Sequence, residues 1–249
     1  MATSRAFPFR RPPTQAPRFR LFCLPYAGGG AALYRPWIQR LAPDIDVVPI
    51  ELPGRGTRMA EPPTSDMKLL ADALAHAMEP LFGDVPVALF GHSMGARIAF
   101  ELARRFDGRV RHLFASASLT PGTPPRYTAG PDRRPTMQLD DAELKQRLIA
   151  IGGTPAEIMA DADLMARVMP LVRADFTLLE GYRPAPDARV ACPITMFVGD
   201  HDPGVSPPEA AHWGQLTTAG CRLIELAAGH FYLESHRDEI LDEIRRVLA

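Results

Sequence analysis

The chain has 249 residues, of which 46% are hydrophobic and 23% are charged, and its formal net charge is −1 at pH 7. This length and composition are typical of one large globular domain with a substantial core. The near-neutral charge excludes a general electrostatic attraction to nucleic acid or to an anionic membrane, and no apolar run approaches the length that spans a bilayer.

The N-terminal segment and the cysteines bear on where the protein resides. Residues 1–18 are rich in proline and arginine and lack the apolar stretch of a signal peptide. The prolines would break regular elements, so we expect a disordered arm over residues 1–18. Cys23, Cys192 and Cys221 match no metal-ligand spacing and predict reduced core thiols. We therefore expect a cytoplasmic protein, and we expect it to be a monomer.

Short apolar segments alternate with helical patterns along residues 19–249. Helices are predicted at Tyr34–Leu41 and over residues 66–82, where Thr64 and Ser65 are available as N-caps. The alternation predicts an α/β fold with a mostly parallel sheet and helices on both faces. The predicted strands are Phe19–Leu24, Ile45–Leu52, Val85–Phe90, Val110–Ala115, Pro193–Val198 and Arg222–Leu226.

The most informative motif lies at Gly91–Gly95, which has the sequence Gly-His-Ser-Met-Gly. It follows a predicted strand and precedes a predicted helix, and this context is typical of a nucleophile elbow. In such an elbow a strained turn lifts the serine hydroxyl above the sheet, so Ser93 is the candidate nucleophile. Gly91 and Gly95 are expected where a Cβ would clash with neighbouring backbone. A glycine-rich loop without chemistry is the alternative.

A serine hydroxyl needs a histidine base, and that histidine needs a carboxylate to orient it. In an architecture with this elbow both follow the serine along the chain, the acid first. The strand-end loops Gly199–Pro203 and Gly229–Phe231 have the required order. We assign His230 as the base, because the other histidines lack this order and strand-end position. We prefer Asp202 to Asp200 as the acid, since Asp202 lies farther from the strand.

The oxyanion of an acyl-transfer intermediate needs two N–H donors. One is expected from Met94, the residue after the nucleophile. The other is expected from the glycine-rich loop Leu24–Gly30, and we assign it to Ala27, with Tyr26 beside it. A phosphate-binding loop is excluded because no Lys-Ser/Thr pair follows. The chemistry requires neither a metal nor a redox cofactor.

Residues 126–182 interrupt the alternation, since they contain no convincing strand. A capping-box pattern at Asp140–Glu143 opens a first helix, which Gly152–Gly153 ends. Asp161 caps a second helix, and Pro170 starts a third. The insertion falls between the nucleophile and the acid, where lids enter this architecture. We interpret it as a helical lid on this analogy, and a purely structural decoration is the alternative.

Together these motifs resemble those of type II thioesterases, the editing enzymes of polyketide synthase and nonribosomal peptide synthetase pathways. The resemblance extends from Phe19 to the C-terminus and implies the α/β-hydrolase fold. Two lid segments, Leu148–Pro155 and Arg173–Phe176, also fit the family pattern, whereas the N-terminal arm departs from it. The main matching segments are Leu24–Gly29, Glu51–Gly56, Gly91–Ala96, Gly199–Pro203 and Gly229–Phe231.

The resemblance implies hydrolysis of aberrant or stalled acyl groups from the phosphopantetheine arm of acyl or peptidyl carrier proteins. Ser93 would form the acyl-enzyme, His230 would act as base and then as acid, and Asp202 would orient His230. The phosphopantetheine would come from the partner carrier protein, and the enzyme itself would need no cofactor. Hydrolysis is favoured over cyclisation because the chain begins with its own Met1 and shows no attached carrier domain.

Two other functions stay open. One is a general carboxylesterase or acyl-CoA hydrolase, and the other is a non-catalytic carrier-binding protein with a hydrolase fold. Arg126, Arg133 and Arg134 lie near the lid and could meet an acidic carrier surface. We prefer the simpler interpretation that these are solvated loop arginines.

Overall fold

The computed structural model describes residues 5–13, 15–128, 134–151 and 161–248. Within these ranges six parallel strands form one sheet in the order β2-β1-β3-β4-β5-β6. The chain leaves β1 in one direction and returns to its other side, so β1 and β3 flank the point where the strand order reverses. The strands are β1 Phe19–Leu24, β2 Ile45–Pro49, β3 Val87–His92, β4 Val110–Ser116, β5 Ile194–Gly199 and β6 Cys221–Leu226.

Helices cover both faces of the sheet, as predicted. Helices α1 (Arg35–Leu41) and α7 (Arg237–Leu248) pack on one face, and a short helix α6 (Pro207–Ala210) follows β5 along the chain. Helices α2 (Met67–Met78) and α3 (Met94–Arg105) pack on the other. Successive residues of β3 alternate between the two cores, so the central strand is buried on both sides. None of the helices in the described ranges combines the length and apolarity needed to cross a bilayer.

The ends of helix α2 differ from the prediction. The side chain of Asp66 accepts two backbone N–H groups of the first turn, so Asp66 is the N-cap rather than Thr64 or Ser65. The helix ends at Met78 and continues as a short 3₁₀ turn over Glu79–Leu81. Pro80 accounts for this change, because it has no N–H to donate to the preceding helical turn.

The N-terminal segment, expected to be disordered over residues 1–18, packs against the domain where the structure describes it. Ala6 and Phe7 are buried, and the ring of Phe7 lies 6.2 Å from that of Phe22 in β1. The carbonyl of Ala6 accepts the N–H of Glu51 at 2.8 Å. The prolines argue only against regular secondary structure, whereas burial of the Phe7 ring orders the segment.

The lid insertion contains helix α4 (Asp141–Ile151) and helix α5 (Ala162–Gly181). The capping box of α4 is confirmed: the carboxylates of Asp140 and Glu143 accept each other's backbone N–H at 2.8 and 2.9 Å. The two helices share a small apolar core of their own. Its buried members are Leu139, Leu144, Leu148, Met165, Met169, Val172 and Phe176.

The predicted helix start at Pro170 is wrong. Pro170 lies inside α5, which is one helix of 20 residues. Proline removes one backbone hydrogen bond there, but the buried residues on both sides of it, Met169 and Leu171, anchor the helix to its neighbours. The predicted stop at Gly152–Gly153 and the later part of the segment Leu148–Pro155 lie outside the described residues.

Candidate active site

The elbow at Ser93 joins β3 to α3. Ser93 has φ of +55°, which confirms the strained turn expected for an elbow. A Cβ added to Gly91 would lie 2.1 Å from the carbonyl oxygen of Gly95, and one added to Gly95 would lie 2.2 Å from that of Leu24. Both glycines are therefore required by close backbone approach, and the second contact presses the elbow against the end of β1.

The structure brings Ser93, His230 and Asp202 together from three separate strand ends. The Ser93 Oγ lies 3.1 Å from His230 Nε2, and His230 Nδ1 lies 2.7 Å from Asp202 Oδ2. Asp202 is buried, and its other oxygen accepts the N–H of Gly204 at 2.7 Å. With the Nδ1 proton donated to Asp202, the Nε2 lone pair faces the serine hydroxyl. This tautomer is the one that a general base requires.

The loops that carry the acid and the histidine are held to each other by Gly199 and Asp200. A Cβ on Gly199 would lie 2.2 Å from the carbonyl oxygen of Ala228, so the loops touch through backbone. The Asp200 carboxylate accepts the N–H of Ala228 at 3.0 Å. Asp200 therefore fixes the position of the loop before His230, and Asp202 is the carboxylate that contacts the imidazole.

A buried series of hydrogen bonds lies behind the triad, and no sequence pattern predicts it. Tyr232 donates its only hydroxyl proton to the carbonyl of Phe197 at 2.9 Å. In its contact with Ser116 at 2.7 Å, Tyr232 must therefore accept, and the Ser116 hydroxyl donates. The hydroxyl of Ser116 then accepts the Nδ1 proton of His92 at 2.9 Å. Burial, followed by the charge that His230 carries when protonated, lowers the pKa of His92 well below its usual range. His92 is therefore a neutral packing partner of His230, with ring centroids 5.4 Å apart.

The two predicted oxyanion donors are Met94, which lies within the elbow, and Ala27, which lies in the loop after β1. Met94 is the first residue of α3, where N–H groups have no partner within the helix and the helix dipole favours negative charge. Ala27 lies in the loop after β1, against which the elbow packs. Within the described ranges no hydrogen bond uses the N–H of either residue. Both donors are thus available to an anionic oxygen, and their catalytic role stays a prediction.

Side chains from outside the loop hold the segment that carries Ala27. Asp175 of α5 accepts the N–H of Gly28 at 2.7 Å, and Glu51 accepts the N–H of Ala31 at 3.0 Å. Arg55 pairs with both oxygens of Asp175, at 2.9 and 2.7 Å. The sequence resemblance includes the segments of Arg55 and Asp175 but gives them no role. A carboxylate on the apolar stripe of a helix, as Asp175 is, is the signal that predicts a buried partner.

A cavity of about 1010 Å³ opens at the triad and extends beneath the lid. This volume and a mostly apolar lining suit a chain-like acyl group. The cavity reaches Ser93 and His230 at one end, and helices α4 and α5 of the insertion line it, so the interpretation of the insertion as a lid stays a prediction that this lining supports. Lid residues that line it include Leu148, Ile151, Val168, Leu171, Val172 and Phe176.

Of the three predicted docking arginines, the two that the structure describes have partners within this chain. Arg126 pairs with Glu209, and Arg134 pairs with Glu143 at 2.7 Å. Arg133 lies outside the described residues. Arg126 and Arg134 are therefore neutralised locally, and docking through them stays a prediction.

The cysteines take no part in the candidate site. All three are free thiols, and burial raises the pKa of Cys192 and of Cys221 to about 11. A thiol with so high a pKa is a poor nucleophile at neutral pH. In the part of the chain that the structure describes, no three His, Cys, Asp or Glu side chains cluster as metal ligands do.

Several known proteins that this chain resembles are thioesterases. The family model described as "Thioesterase domain" matches residues 19–248. The chain is 36% identical over 95% of its length to the "Probable cadicidin biosynthesis thioesterase" of Streptomyces griseus, of which it spans 64%. It is 35% identical to the "Gramicidin S biosynthesis protein GrsT" of Aneurinibacillus migulanus, with 94% of this chain and 92% of that protein covered.

A solved structure points to the same family. The type II thioesterase BorB from the borrelidin biosynthetic cluster superposes with a TM-score of 0.82 at 38% identity, and the match covers 96% of each chain. The α/β-hydrolase fold and the resemblance to type II thioesterases are both confirmed by these similarities. The chain belongs to the thioesterase family, and its motifs, its fold and its relatives all identify the type II branch.

Proposed function

We propose that the protein is a serine thioesterase that removes aberrant or stalled acyl groups from the phosphopantetheine arm of acyl or peptidyl carrier proteins. The observation that carries the proposal is the relay from Asp202 through His230 to Ser93, with contacts of 2.7 and 3.1 Å. This relay opens into a cavity large enough for an acyl chain. The pathways named for its relatives support the choice of carrier-bound substrates.

The first half of the reaction forms the acyl-enzyme. The Ser93 oxygen attacks the thioester carbonyl while His230 Nε2 takes the hydroxyl proton, and Asp202 stabilises the imidazolium. The carbonyl oxygen becomes an oxyanion that the N–H groups of Ala27 and Met94 bind. When the C–S bond breaks, His230 gives the proton to the departing thiol of the arm.

The second half regenerates the enzyme. A water molecule gives a proton to His230 and attacks the acyl-enzyme carbonyl, which forms a second oxyanion in the same place. Collapse of this intermediate returns the proton to Ser93 and releases the free carboxylic acid. These steps need no cofactor on the enzyme, since the phosphopantetheine arrives on the carrier protein. The proposed enzyme acts in the cytoplasm as a monomer.

Turnover of three substrates with the same acyl group tests the proposal: an acyl-carrier protein, an acyl-CoA and a nitrophenyl ester. We expect the highest kcat/KM for the carrier protein and loss of hydrolysis in Ser93→Ala. A strong preference for the nitrophenyl ester would instead support a general carboxylesterase. A fluorophosphonate probe should label the parent protein and leave Ser93→Ala unlabelled. An unlabelled parent would favour a non-catalytic carrier-binding protein.

A further inference from the structure

Helix α5 of the lid reaches the loop after β1 through one carboxylate. Asp175 is buried, with 2% of its surface exposed, and its two oxygens accept three hydrogen bonds. One comes from the backbone N–H of Gly28 at 2.7 Å, and two come from the guanidinium of Arg55 at 2.9 and 2.7 Å. Both oxygens of this carboxylate are thus used to bind the loop after β1 and the arginine beside it.

Arg55 completes the contact from the other side. Its Nη1 donates to the carbonyl of Gly29 at 3.0 Å as well as to Asp175. The pair therefore holds a donor on Gly28 and an acceptor on Gly29, the two residues that follow Ala27. Gly28 has φ of +79°, a conformation that side-chain-bearing residues rarely adopt, so the turn needs both glycine and external support.

The direction of the Ala27 N–H follows from this turn. The carbonyl of Tyr26 accepts the N–H of Gly29 at 2.9 Å, which closes the turn from Tyr26 to Gly29. The Tyr26 carbonyl and the Ala27 N–H belong to one planar peptide unit and point in opposite directions. A change in the backbone conformation of Gly28 or Gly29 therefore rotates the peptide plane that carries the Ala27 N–H.

Stability alone is a weak reason for a buried ion pair of this kind. Taking two charges out of water costs about as much as their attraction returns, so such pairs are often no better than apolar packing. The protein contains a second buried pair, Arg20 with Asp46 at 2.7 Å, which joins β1 to β2 and contacts no loop of the site. The two pairs are similarly buried and differ in what they hold.

We propose that Asp175 and Arg55 are positioning residues for the oxyanion donor, so that the lid helix sets the direction of the Ala27 N–H. This inference rests on the proposed function, because it assumes that Ala27 binds an oxyanion during hydrolysis. The negative charge exists only in the tetrahedral intermediates and the transition states that lead to them. A misdirected donor should therefore lower kcat and leave KM nearly unchanged.

Asp175→Asn is the direct test. The asparagine NH₂ would replace one of the two acceptor oxygens and face either the Gly28 N–H or the Arg55 guanidinium, both of which are donors. We expect kcat for the acyl-carrier substrate to fall about 10- to 100-fold, with KM within about twofold of the parent value. Affinity for a trifluoromethyl ketone, which forms a tetrahedral adduct with Ser93, should fall by a similar factor. Asp175→Glu, which keeps a carboxylate acceptor, should recover part of the loss.

Asp46→Asn is the matched control, because it also leaves a buried arginine without its carboxylate. We expect both Asn variants to lower Tm, and only Asp175→Asn to lower kcat per folded enzyme. Equal kcat in the two variants would overturn the inference. If Asp175→Asn does not fold, Arg55→Lys is the alternative test. Lysine keeps the positive charge but cannot donate two parallel hydrogen bonds as the planar guanidinium does, so kcat should fall. An unchanged kcat in Arg55→Lys would refute the positioning role.

The outcomes distinguish failure of the proposed function from failure of the positioning role. A parent protein that neither hydrolyses acyl-carrier protein nor reacts with fluorophosphonate would refute the proposed function. An active parent whose Asp175→Asn variant has the parent kcat and the parent affinity for the ketone would refute the positioning role alone.

Discussion

The two halves of the candidate site are held in place by different means. The triad lies on strand ends, and its loops touch through backbone contacts at Gly91, Gly95 and Gly199. The loop that carries Ala27 depends instead on side chains from distant parts of the chain. Gly28 and Asp175, for example, are 147 positions apart. The triad half is encoded by compact motifs, whereas the oxyanion half is encoded by pairs that only the folded chain brings together.

The largest expected effect distinguishes the two carboxylates of the acid loop. Asp202→Asn should lower kcat by about 10⁴-fold, because the imidazole loses the acceptor that fixes its tautomer. Asp200→Asn should keep activity within a few-fold of the parent, since an amide oxygen can still accept the N–H of Ala228. Steady-state hydrolysis of an acyl-carrier substrate measures both. Equal losses would show that the triad half is not built as described.

A substitution in the elbow tests whether close backbone contact holds the triad loops in place. Gly95→Ala would bring a Cβ to 2.2 Å from the Leu24 carbonyl oxygen, where no flexible side chain can give way. We expect a loss of about 3 kcal/mol in the free energy of unfolding. Gly181→Ala is the control, because its Cβ would meet nothing within 4 Å. Denaturant unfolding measures both variants, and similar stabilities would contradict the steric argument.

The sheet beneath the triad carries a titratable group whose effect on stability depends on pH. Burial is the main cause that lowers the pKa of His112 to about 4, and Glu243 and Arg246 have smaller, opposing effects. The unfolded chain protonates this histidine near pH 6.5, so protons favour the unfolded state as the pH falls from about 6.5 towards 4. The expected loss is about 2 kcal/mol at pH 5.

His112→Asn measures this contribution. Denaturant unfolding at pH 7 and at pH 5 should show a smaller loss of stability on acidification in the variant than in the parent. The opposite order would show that His112 is already charged in the folded protein. The hydrogen bond between His112 Nε2 and Thr195 Oγ1, at 2.9 Å, lies within the sheet and away from the triad, so the rate of hydrolysis should change little.

The smallest expected effect concerns the far end of the oxyanion loop. Glu51→Ala would leave the buried N–H of Ala31 without its acceptor and should cost about 1 kcal/mol of stability. Glu51→Gln retains an acceptor oxygen and serves as the control. Ala31 lies beyond the turn that contains Ala27, so kcat should fall less than in Asp175→Asn. If kcat fell more in Glu51→Ala than in Asp175→Asn, Glu51 and not Asp175 would be the main support of the loop that carries Ala27.

The sequence predicts the sheet and the triad well because each rests on local patterns. Apolar runs mark the strands, and the Gly-x-Ser-x-Gly motif and the strand-end position of His230 require no knowledge of tertiary contacts. Predictions that rest on proline alone are less accurate, because they leave out tertiary packing. Pro170 lies inside a continuous helix because packing on both sides of it outweighs one lost hydrogen bond. The segment around Phe7 is ordered for a similar reason.

The pairing of Arg55 with Asp175 could not be predicted, although each residue lies in a recognisable segment. The two are 120 positions apart, and nothing in either segment specifies the other. A buried carboxylate on an apolar helix face predicts only that some partner exists. The same limit applies to the series of hydrogen bonds that links His92, Ser116 and Tyr232, because these residues come from different strands and loops.

The anchoring of the N-terminal segment has a practical consequence for protein engineering. Shortened versions that start after the prolines would strip the ring of Phe7 from the core and remove the carbonyl that receives the Glu51 N–H. The side chain of that same glutamate secures Ala31, so trimming a stretch that looks dispensable would loosen a support of the reaction centre. Purification tags are better attached at the opposite terminus.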